Sequence, residues 1–329
     1  MMKKYKIIDF LRGYSIFTIA LMHLCQGYTD GGLNKAFAFG GAGVHVFILC
    51  SGFGLYLSYL RNPIGYVDFL KRRFGKVWIP YAMSVLLWGI WLMIITGIFP
   101  IKELLSHLLL YKMFSNELDT SLCYPYWFIS TIFQFYLTWP LILKIFRISG
   151  GLLLIISLVW STMVGFLGLE EERPWGSFFL QYLWEFALGM WIAGRCMDRK
   201  GSGLNIMNID SYRWYWLIFG AIGGMGVSAM MAWNGGILKL YNDIPSLIGY
   251  LSVAFIIYKL SLSAINTFFE WANGFSYELY LVHSLVYVIA AYALSQTMPI
   301  GAVLASSFVA AYVVAYEYKQ FLLIIGLSK

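Results

Sequence analysis

The stretch IIDFLRGYSIFTIALMHLCQ, residues 7–26, decides the fold class of this 329-residue chain. It is strongly apolar and, as an α-helix, long enough to cross the hydrocarbon core of a bilayer. Arg12 and His23 interrupt it, and ionisable side chains inside such a segment are costly and usually functional. The helical rise separates these two residues by roughly 16 Å, so one could act near each side of a membrane.

The composition places the whole chain in the same class. It is 60% hydrophobic and only 12% charged, which leaves too little polar surface for a soluble globular protein. The net charge of +7 reflects basic residues held in cytoplasmic loops, so we expect no nucleic-acid partner. Cys25, Cys50, Cys123 and Cys196 show neither metal-ligand spacing nor a disulfide framework. We therefore expect no bound metal.

Ten segments are long and apolar enough to span. They cover residues 7–26, 36–60, 77–99, 127–146, 151–169, 177–194, 214–233, 245–262, 276–294 and 300–323. Because lipid offers the backbone no hydrogen-bond partner, each must be a helix. The sequence thus predicts an all-α polytopic membrane protein with about ten transmembrane helices. We expect a single domain over residues 1–329, with an uncleaved first segment and no attached soluble domain.

The distribution of lysine and arginine predicts the orientation, because cytoplasmic loops carry an excess of both. With a cytoplasmic N-terminus, 18 of the 23 basic residues face the cytoplasm. The remaining five are Lys35, Lys102, Lys112, Arg173 and Lys239. Both termini are therefore expected in the cytoplasm, and the acidic run 170–172 outside. The outer stretch 101–114 is too short and too charged to span, and it fits an interfacial helix.

His23 and Arg12 are the first candidates for chemistry. An imidazole titrates near neutrality and can remove a proton from a hydroxyl, although an interfacial histidine can also merely cap a packed face. Arg12 could bind an anionic ligand or pair with Asp9 one turn earlier. The two interpretations are compatible, because a guanidinium that is already oriented binds phosphate better.

The densest positive cluster lies before the third segment. Lys71, Arg72, Arg73 and Lys76, on a short cytoplasmic helix, could bind a polyphosphate through charge-assisted hydrogen bonds. The alternative is a topology signal that contacts anionic lipid, which is the commoner role of such clusters.

Asp9 and five further residues are weaker candidates for orienting a substrate. Glu185 is a lone carboxylate within a spanning segment, and His283 shares the ninth segment with Glu278. Either could equally be a satisfied buried group. Trp127, Gln134 and Tyr136 open the fourth segment. An aromatic belt explains the two aromatic residues, and Gln134 is the less expected of the three.

Five motifs in order resemble the bacterial acyltransferase-3 family of integral membrane O-acyltransferases, which includes O-antigen and enterobacterial common antigen O-acetyltransferases. Arg12 and His23 reproduce its Arg-x10-His motif. GVHVFILCSGFGLYLSY (43–59) is similar to its Phe-Phe-x-x-Ser-Gly segment, with Ile48 in place of the second Phe. FLKRRFGKVWIPY (69–81) is similar to Arg-Arg-x-x-Arg before Ile-x-Pro-x-Tyr, with Lys76 replacing the last Arg. YWFISTIFQFYLTWPLI (126–142) and SYELYLVHSLV (276–286) resemble the later motifs.

The resemblance implies transfer of an acyl group, usually acetyl, from cytoplasmic acyl-coenzyme A to a hydroxyl of an extracytoplasmic or lipid-linked carbohydrate. Arg72, Arg73 and Lys76 would hold the coenzyme A phosphates, and the lysine weakens this slightly because it lacks a bidentate donor. Arg12 would steady the thioester or the coenzyme, and His23 would be the general base. The implied location is the bacterial cytoplasmic (inner) membrane. The implied partners are membrane lipids, and the protein could also contact copies of itself or envelope-glycan synthesis proteins.

Two other classes stay open at this point. A secondary transporter or flippase of envelope glycans also has about ten helices and buried ionisable residues, but no internal repeat is visible here. A non-catalytic subunit of an envelope-polysaccharide machine is the third, and the intact Arg12–His23 pair argues against it.

Overall fold

The computed structural model describes residues 5–26, 31–197, 207–260 and 263–327. Within these ranges the chain is α-helical and contains no strand, as the composition predicts. The longer helices, by order along the chain, are α1 (Lys6–Gln26), α2 (Gly31–Ala38), α3 (Gly43–Arg61), α4 (Tyr66–Arg73), α5 (Ile79–Thr96), α6 (Ile101–Leu108), α7 (Trp127–Ile148), α8 (Gly150–Phe166), α9 (Arg173–Gly176), α10 (Leu183–Met197), α11 (Trp214–Asn234), α12 (Leu238–Tyr241), α13 (Asp243–Lys259), α14 (Ser263–Asn273), α15 (Ser276–Leu294) and α16 (Ile300–Ile324). The terminal residues, whose cytoplasmic location was predicted, lie outside the described ranges.

Eight helical segments of the described chain are long and apolar enough to cross a membrane, fewer than the ten predicted. A helix is present at each of the ten predicted positions. However, α8 has 17 residues and α10 only 15. The prediction started α10 at residue 177, but residues 177–182 form turns. Neighbouring hydroxyl groups permit this: Thr131 Oγ1 donates to the carbonyl of Ser177, and Ser157 Oγ donates to that of Leu180.

The basic cluster and the third predicted span form one continuous helical segment, Tyr66–Thr96. A π-helical turn, Phe74–Trp78, joins α4 to α5. Pro80, the second residue of α5, has no backbone N–H to give to the preceding turn. The side chains of Tyr277 and Tyr318 donate hydrogen bonds to the carbonyls of Val77 (2.7 Å) and Pro80 (2.6 Å). The turn is therefore anchored to α15 and α16, and π turns of this kind are frequent at functional sites.

Glycines let the first helices approach their neighbours closely. A Cβ at Gly13 of α1 would lie 1.8 Å from the carbonyl oxygen of Phe269 on α14. A Cβ at Gly52 of α3 would lie 2.1 Å from the carbonyl oxygen of Phe186 on α10. Small residues at such crossings are a general device for packing helices in membranes. They fix the positions of Arg12 and His23 on α1 relative to the rest of the bundle.

Within residues 101–114, where the sequence predicts an interfacial helix, residues 101–108 form the short helix α6. Its location at a membrane interface stays a prediction. The helix α6 folds back along α5: Leu104 packs against Gly89, and the Trp78 indole donates to the carbonyl of Leu108 at 2.9 Å. His107 and Lys112 are fully buried. The leucines of α6 recur at helical spacing on one face, which suits a protein groove as well as it suits a membrane surface.

Candidate active site

A cavity of about 500 Å³ opens between α1, α3, the π turn, α7, α15 and α16. It contains four of the residues that the sequence singled out: Arg12, Arg73, Lys76 and Tyr136. Side chains that the sequence reasoning did not assign to a site also line it, including Asn273, Glu278 and Lys319. We call this part of the bundle, defined by Arg12, Arg73, Lys76 and Lys319, the Arg12 end.

The Arg12 end concentrates positive charge inside the helix bundle. Arg12, Arg73, Lys76 and Lys319 face one buried carboxylate, Glu278. The carboxylate of Asp9 accepts a hydrogen bond from Asn273 Nδ2 at 2.9 Å. The pairing of Asp9 with Arg12 stays a prediction. The cavity therefore offers its cations to an anionic ligand.

A second cavity, of about 230 Å³, adjoins the first. Arg72 lines it, and Leu55, Arg73 and Lys76 line both cavities. Consecutive residues of the basic cluster thus reach into two connected spaces. A ligand with several separated phosphate groups could contact Arg72, Arg73 and Lys76 at once. Lys71, the fourth residue of the cluster, lines neither cavity.

Arg73 is held more firmly than its neighbours. Its guanidinium carbon lies 5.4 Å from the ring centroid of Phe69 and 5.6 Å from that of Tyr136. These cation–π contacts orient the group, while its Nε is buried without a hydrogen-bond partner among the described residues. A buried unsatisfied donor costs free energy, so Arg73 is the cation best prepared to gain from a bound anion.

At the other end of α1 two histidines meet. His23 Nδ1 lies 2.8 Å from His283 Nε2, and the two rings stack with their centroids 5.1 Å apart. His283 is fully buried, whereas His23 is partly exposed. We call this pair the His23 end.

The bonding of the pair determines where the protons lie. His283 Nδ1 is 2.9 Å from the carbonyl oxygen of Leu279, which can only accept, so Nδ1 carries the proton. His283 Nε2 is then an acceptor, and His23 Nδ1 donates to it. In the neutral pair this leaves His23 Nε2 with a free lone pair. That atom is placed to accept a proton from a ligand.

The two ends are connected along α1 and α15. Ile19, one turn before His23, lines the 500 Å³ cavity. Tyr280 lines it too, and its ring centroid lies 6.2 Å from that of His283. His23 itself is not a lining residue, so the cavity ends just short of the pair. A long ligand bound to the cations could extend towards His23 Nε2.

The family follows from comparison with known proteins. A family model described as an acyltransferase domain matches residues 5–316, nearly the whole chain. The chain belongs to the acyltransferase-3 family. Comparison with curated proteins gave no match, and comparison with solved structures gave none either. The family match agrees with the resemblance of the five motifs, and it favours acyl transfer over the transporter alternative.

Three predicted substrate-orienting residues of this acyltransferase lie outside both cavities. Gln134 Oε1 accepts from the backbone N–H of Phe179 at 3.1 Å, so its amide supports the turns before α10. The Trp127 ring stacks on the Tyr182 ring, with the two centroids 6.1 Å apart. The guanidinium carbon of Arg173 lies 5.3 Å from the centroid of the Trp127 ring. Glu185 is bonded to His45 at 2.7 Å. Their predicted role in orienting a substrate stays a prediction, and each has a structural partner.

His107 of this acyltransferase is another buried histidine held neutral. Its Nε2 donates to the carbonyl of Ser121 at 3.1 Å, and its Nδ1 accepts from the Tyr81 hydroxyl at 3.0 Å. Burial, aided by the nearby Lys112, lowers the pKa of His107 from 6.5 to about 3. Burial also lowers the pKa of Lys112 to about 8, although its Nζ donates to the carbonyl of Cys123 at 2.9 Å. No sequence signal marked either residue as buried.

Proposed function

We propose that this acyltransferase takes an acyl group, usually acetyl, from acyl-coenzyme A and transfers it to a hydroxyl of an extracytoplasmic or lipid-linked carbohydrate. The donor binds at the Arg12 end, which faces the cytoplasm of a bacterium. The acceptor reaches His23 from the opposite side of the cytoplasmic (inner) membrane. The observation that carries the proposal is the separation of a cation-lined cavity from a histidine whose Nε2 is free to take a proton.

The donor's chemistry suits the Arg12 end. Coenzyme A carries a diphosphate and a third phosphate at one extremity and a thin pantetheine arm at the other. Arg72, Arg73 and Lys76 supply charge-assisted hydrogen bonds to the phosphates. Arg12 lies deeper and steadies the thioester or the inner anionic part of the donor. The arm then extends through the 500 Å³ cavity past Ile19 and Tyr280 towards His23.

The transfer step balances without a further reactant. As the acceptor hydroxyl oxygen attacks the thioester carbonyl carbon, His23 Nε2 takes its proton. The tetrahedral intermediate collapses, the carbon–sulfur bond breaks, and the coenzyme A thiolate takes the proton back from His23. His283 acts as a positioning residue, because its bond to Nδ1 fixes both the tautomer and the ring orientation of His23.

The experiment is a transfer assay with purified protein in detergent. Radiolabelled acetyl-coenzyme A is supplied with an envelope glycan extract, and base-labile label on the glycan is measured alongside release of free coenzyme A thiol. Wild-type protein should give both products, and His23→Ala should give neither. Equal transfer by wild type and His23→Ala would contradict the role of His23 as general base. If wild-type protein released no coenzyme A thiol with any acceptor, acyl-coenzyme A would not be the donor.

A further inference from the structure

His45, Glu185 and Asp243 meet inside the bundle although they come from three different helices. His45 Nδ1 lies 2.7 Å from Glu185 Oε1, and His45 Nε2 lies 3.6 Å from Asp243 Oδ1. One potential ligand atom from each residue lies within 4.8 Å of the other two. None of the three residues lines the cavities of the Arg12 end. The cluster is therefore a separate feature of the molecule.

The charges of this cluster are not balanced by the protein. Glu185 is fully buried, and the side chains of His45 and Asp243 are each only 14% exposed. One imidazolium balances only one of the two carboxylates when both are ionised, and no lysine or arginine forms an ion pair with either carboxylate in the described ranges. Buried charge without compensation is costly. A divalent cation bound by two carboxylates and a neutral imidazole would give the site a total charge of zero.

A second, independent observation concerns the other oxygen of Glu185. Its Oε2 is buried and has no hydrogen-bond partner among the described residues. Nearly all buried polar atoms in proteins have a partner, so this atom calls for a ligand. Because Oε1 of the same carboxylate is bonded to His45, Oε2 lies beside the cluster and could complete a coordination shell.

A hydrogen bond also holds the Asp243 carboxylate in a fixed orientation, as is usual for a metal ligand. Gln181 Nε2 donates to Asp243 Oδ2 at 2.9 Å, which leaves Oδ1 directed at His45. Gln181 is itself fixed, since its Oε1 accepts from Ser161 Oγ at 2.8 Å. In metal sites, a ligating carboxylate is typically oriented by a hydrogen bond from a residue that does not itself touch the ion.

We propose that His45, Glu185 and Asp243 form a binding site for a divalent transition-metal ion, which ties α3, α10 and α13 together. The donor set of one imidazole and two carboxylates suits Zn²⁺, which takes nitrogen and oxygen ligands at about 2.0–2.2 Å. The ion would take the place of the hydrogen bond between His45 Nδ1 and Glu185 Oε1. The Asp243 carboxylate, which now lies beside His45 Nε2, would turn towards the ion to join them. The sequence could not show this site, because its ligands are separated by more than fifty positions.

The first experiment measures zinc binding to purified protein in detergent after removal of metals with a chelator. We expect wild-type protein to bind one equivalent of Zn²⁺ in a calorimetric titration. Glu185→Gln and Asp243→Asn, which keep side-chain size, should each weaken the affinity at least tenfold. Glu117→Gln, a change at an exposed carboxylate that pairs with Lys102, should bind as wild type does. No saturable binding by wild type, or equal binding by both ligand variants, would overturn the site.

The second experiment needs no variant and so does not depend on variant folding. X-ray absorption at the zinc edge of the loaded wild-type protein should show nitrogen and oxygen neighbours, including the outer-shell signature of one imidazole. Sulfur neighbours would assign the zinc to the cysteines and would contradict the proposal. Neither result depends on acyl transfer, so the outcome is independent of the proposed function.

Discussion

The Arg12 end and the His23 end of the bundle use their ionisable side chains in opposite ways. At the Arg12 end, cations surround open space and Arg73 Nε has no partner among the described residues. At the His23 end, each histidine nitrogen inside the pair is bonded, and only His23 Nε2 is left over. The first arrangement gains most from a bound anion, and the second has a base already oriented before any ligand arrives. The difference teaches that binding and proton transfer can be separated within one bundle and altered one at a time.

Replacing His23 should have the largest effect and should fall on the chemical step. Loss of a positioned general base typically costs on the order of 10²–10⁴ in rate. We expect His23→Ala to abolish detectable transfer while coenzyme A affinity at the Arg12 end stays near that of wild type. Transfer rates and calorimetric affinities of the same preparations check this. Near-normal transfer by His23→Ala would contradict the assignment of proton transfer to the His23 end.

Replacing His283 should have a smaller effect, because His23 remains and only its orientation changes. We expect His283→Leu to slow transfer on the order of tenfold to a hundredfold. His283→Gln should recover part of this loss, since its amide oxygen can accept from His23 Nδ1 as His283 Nε2 does. Rate constants at saturating donor distinguish the two variants. Equal rates for the leucine and glutamine variants would mean that His283 only fills space.

Neutralising the basic cluster should weaken donor binding more than it slows the bound step. Charge-assisted contacts are worth about 1.5–3 kcal/mol each, less when they are exposed and screened. We expect Arg72→Gln/Arg73→Gln to lose at least about tenfold in coenzyme A affinity. Its affinity should also depend less on salt than that of wild type. Calorimetric titration at two salt concentrations measures both.

The matched control for this prediction is Lys144→Gln/Arg195→Gln, which removes the same charge from two residues outside both cavities. It should bind coenzyme A as wild type does. If the control and the cluster variant lose affinity alike, the cluster acts through overall charge and not through contact. If neither variant loses affinity, the cluster is a topology signal alone.

The smallest expected effect concerns His107 and the pH dependence of the protein's stability. The folded protein lowers its pKa from 6.5 to about 3, so the unfolded chain binds more protons between these values. Stability is therefore fully present above pH 6.5 and is lost as the pH falls towards 3, by about 2 kcal/mol near pH 5. His107→Gln should remove this part of the slope. Thermal unfolding of both proteins in detergent across the acidic range measures it, and parallel curves would contradict the buried neutral histidine.

The sequence predicted the elements better than the contacts between them. Apolar length located a helix at each predicted span. The convergence of Arg12, Arg73 and Lys76 on one cavity agrees with the prediction that their motifs share one face of the membrane. The pairing of His23 with His283, 260 positions apart, could not be read from either segment alone. The turns before α10 and the fold-back of α6 were also missed, because tertiary hydroxyl and indole donors satisfy carbonyls that local sequence leaves open. Such contacts depend on which helices become neighbours.

The most direct test of the account is transfer across a sealed membrane. Purified protein is reconstituted into proteoliposomes in one orientation, with a lipid-linked glycan acceptor accessible only at the His23 end and radiolabelled acetyl-coenzyme A added on one side at a time. We expect base-labile label on the acceptor when the donor is supplied at the Arg12 end, and we expect no such label with the His23→Ala variant. Label that forms only when donor and acceptor are on the same side would contradict it.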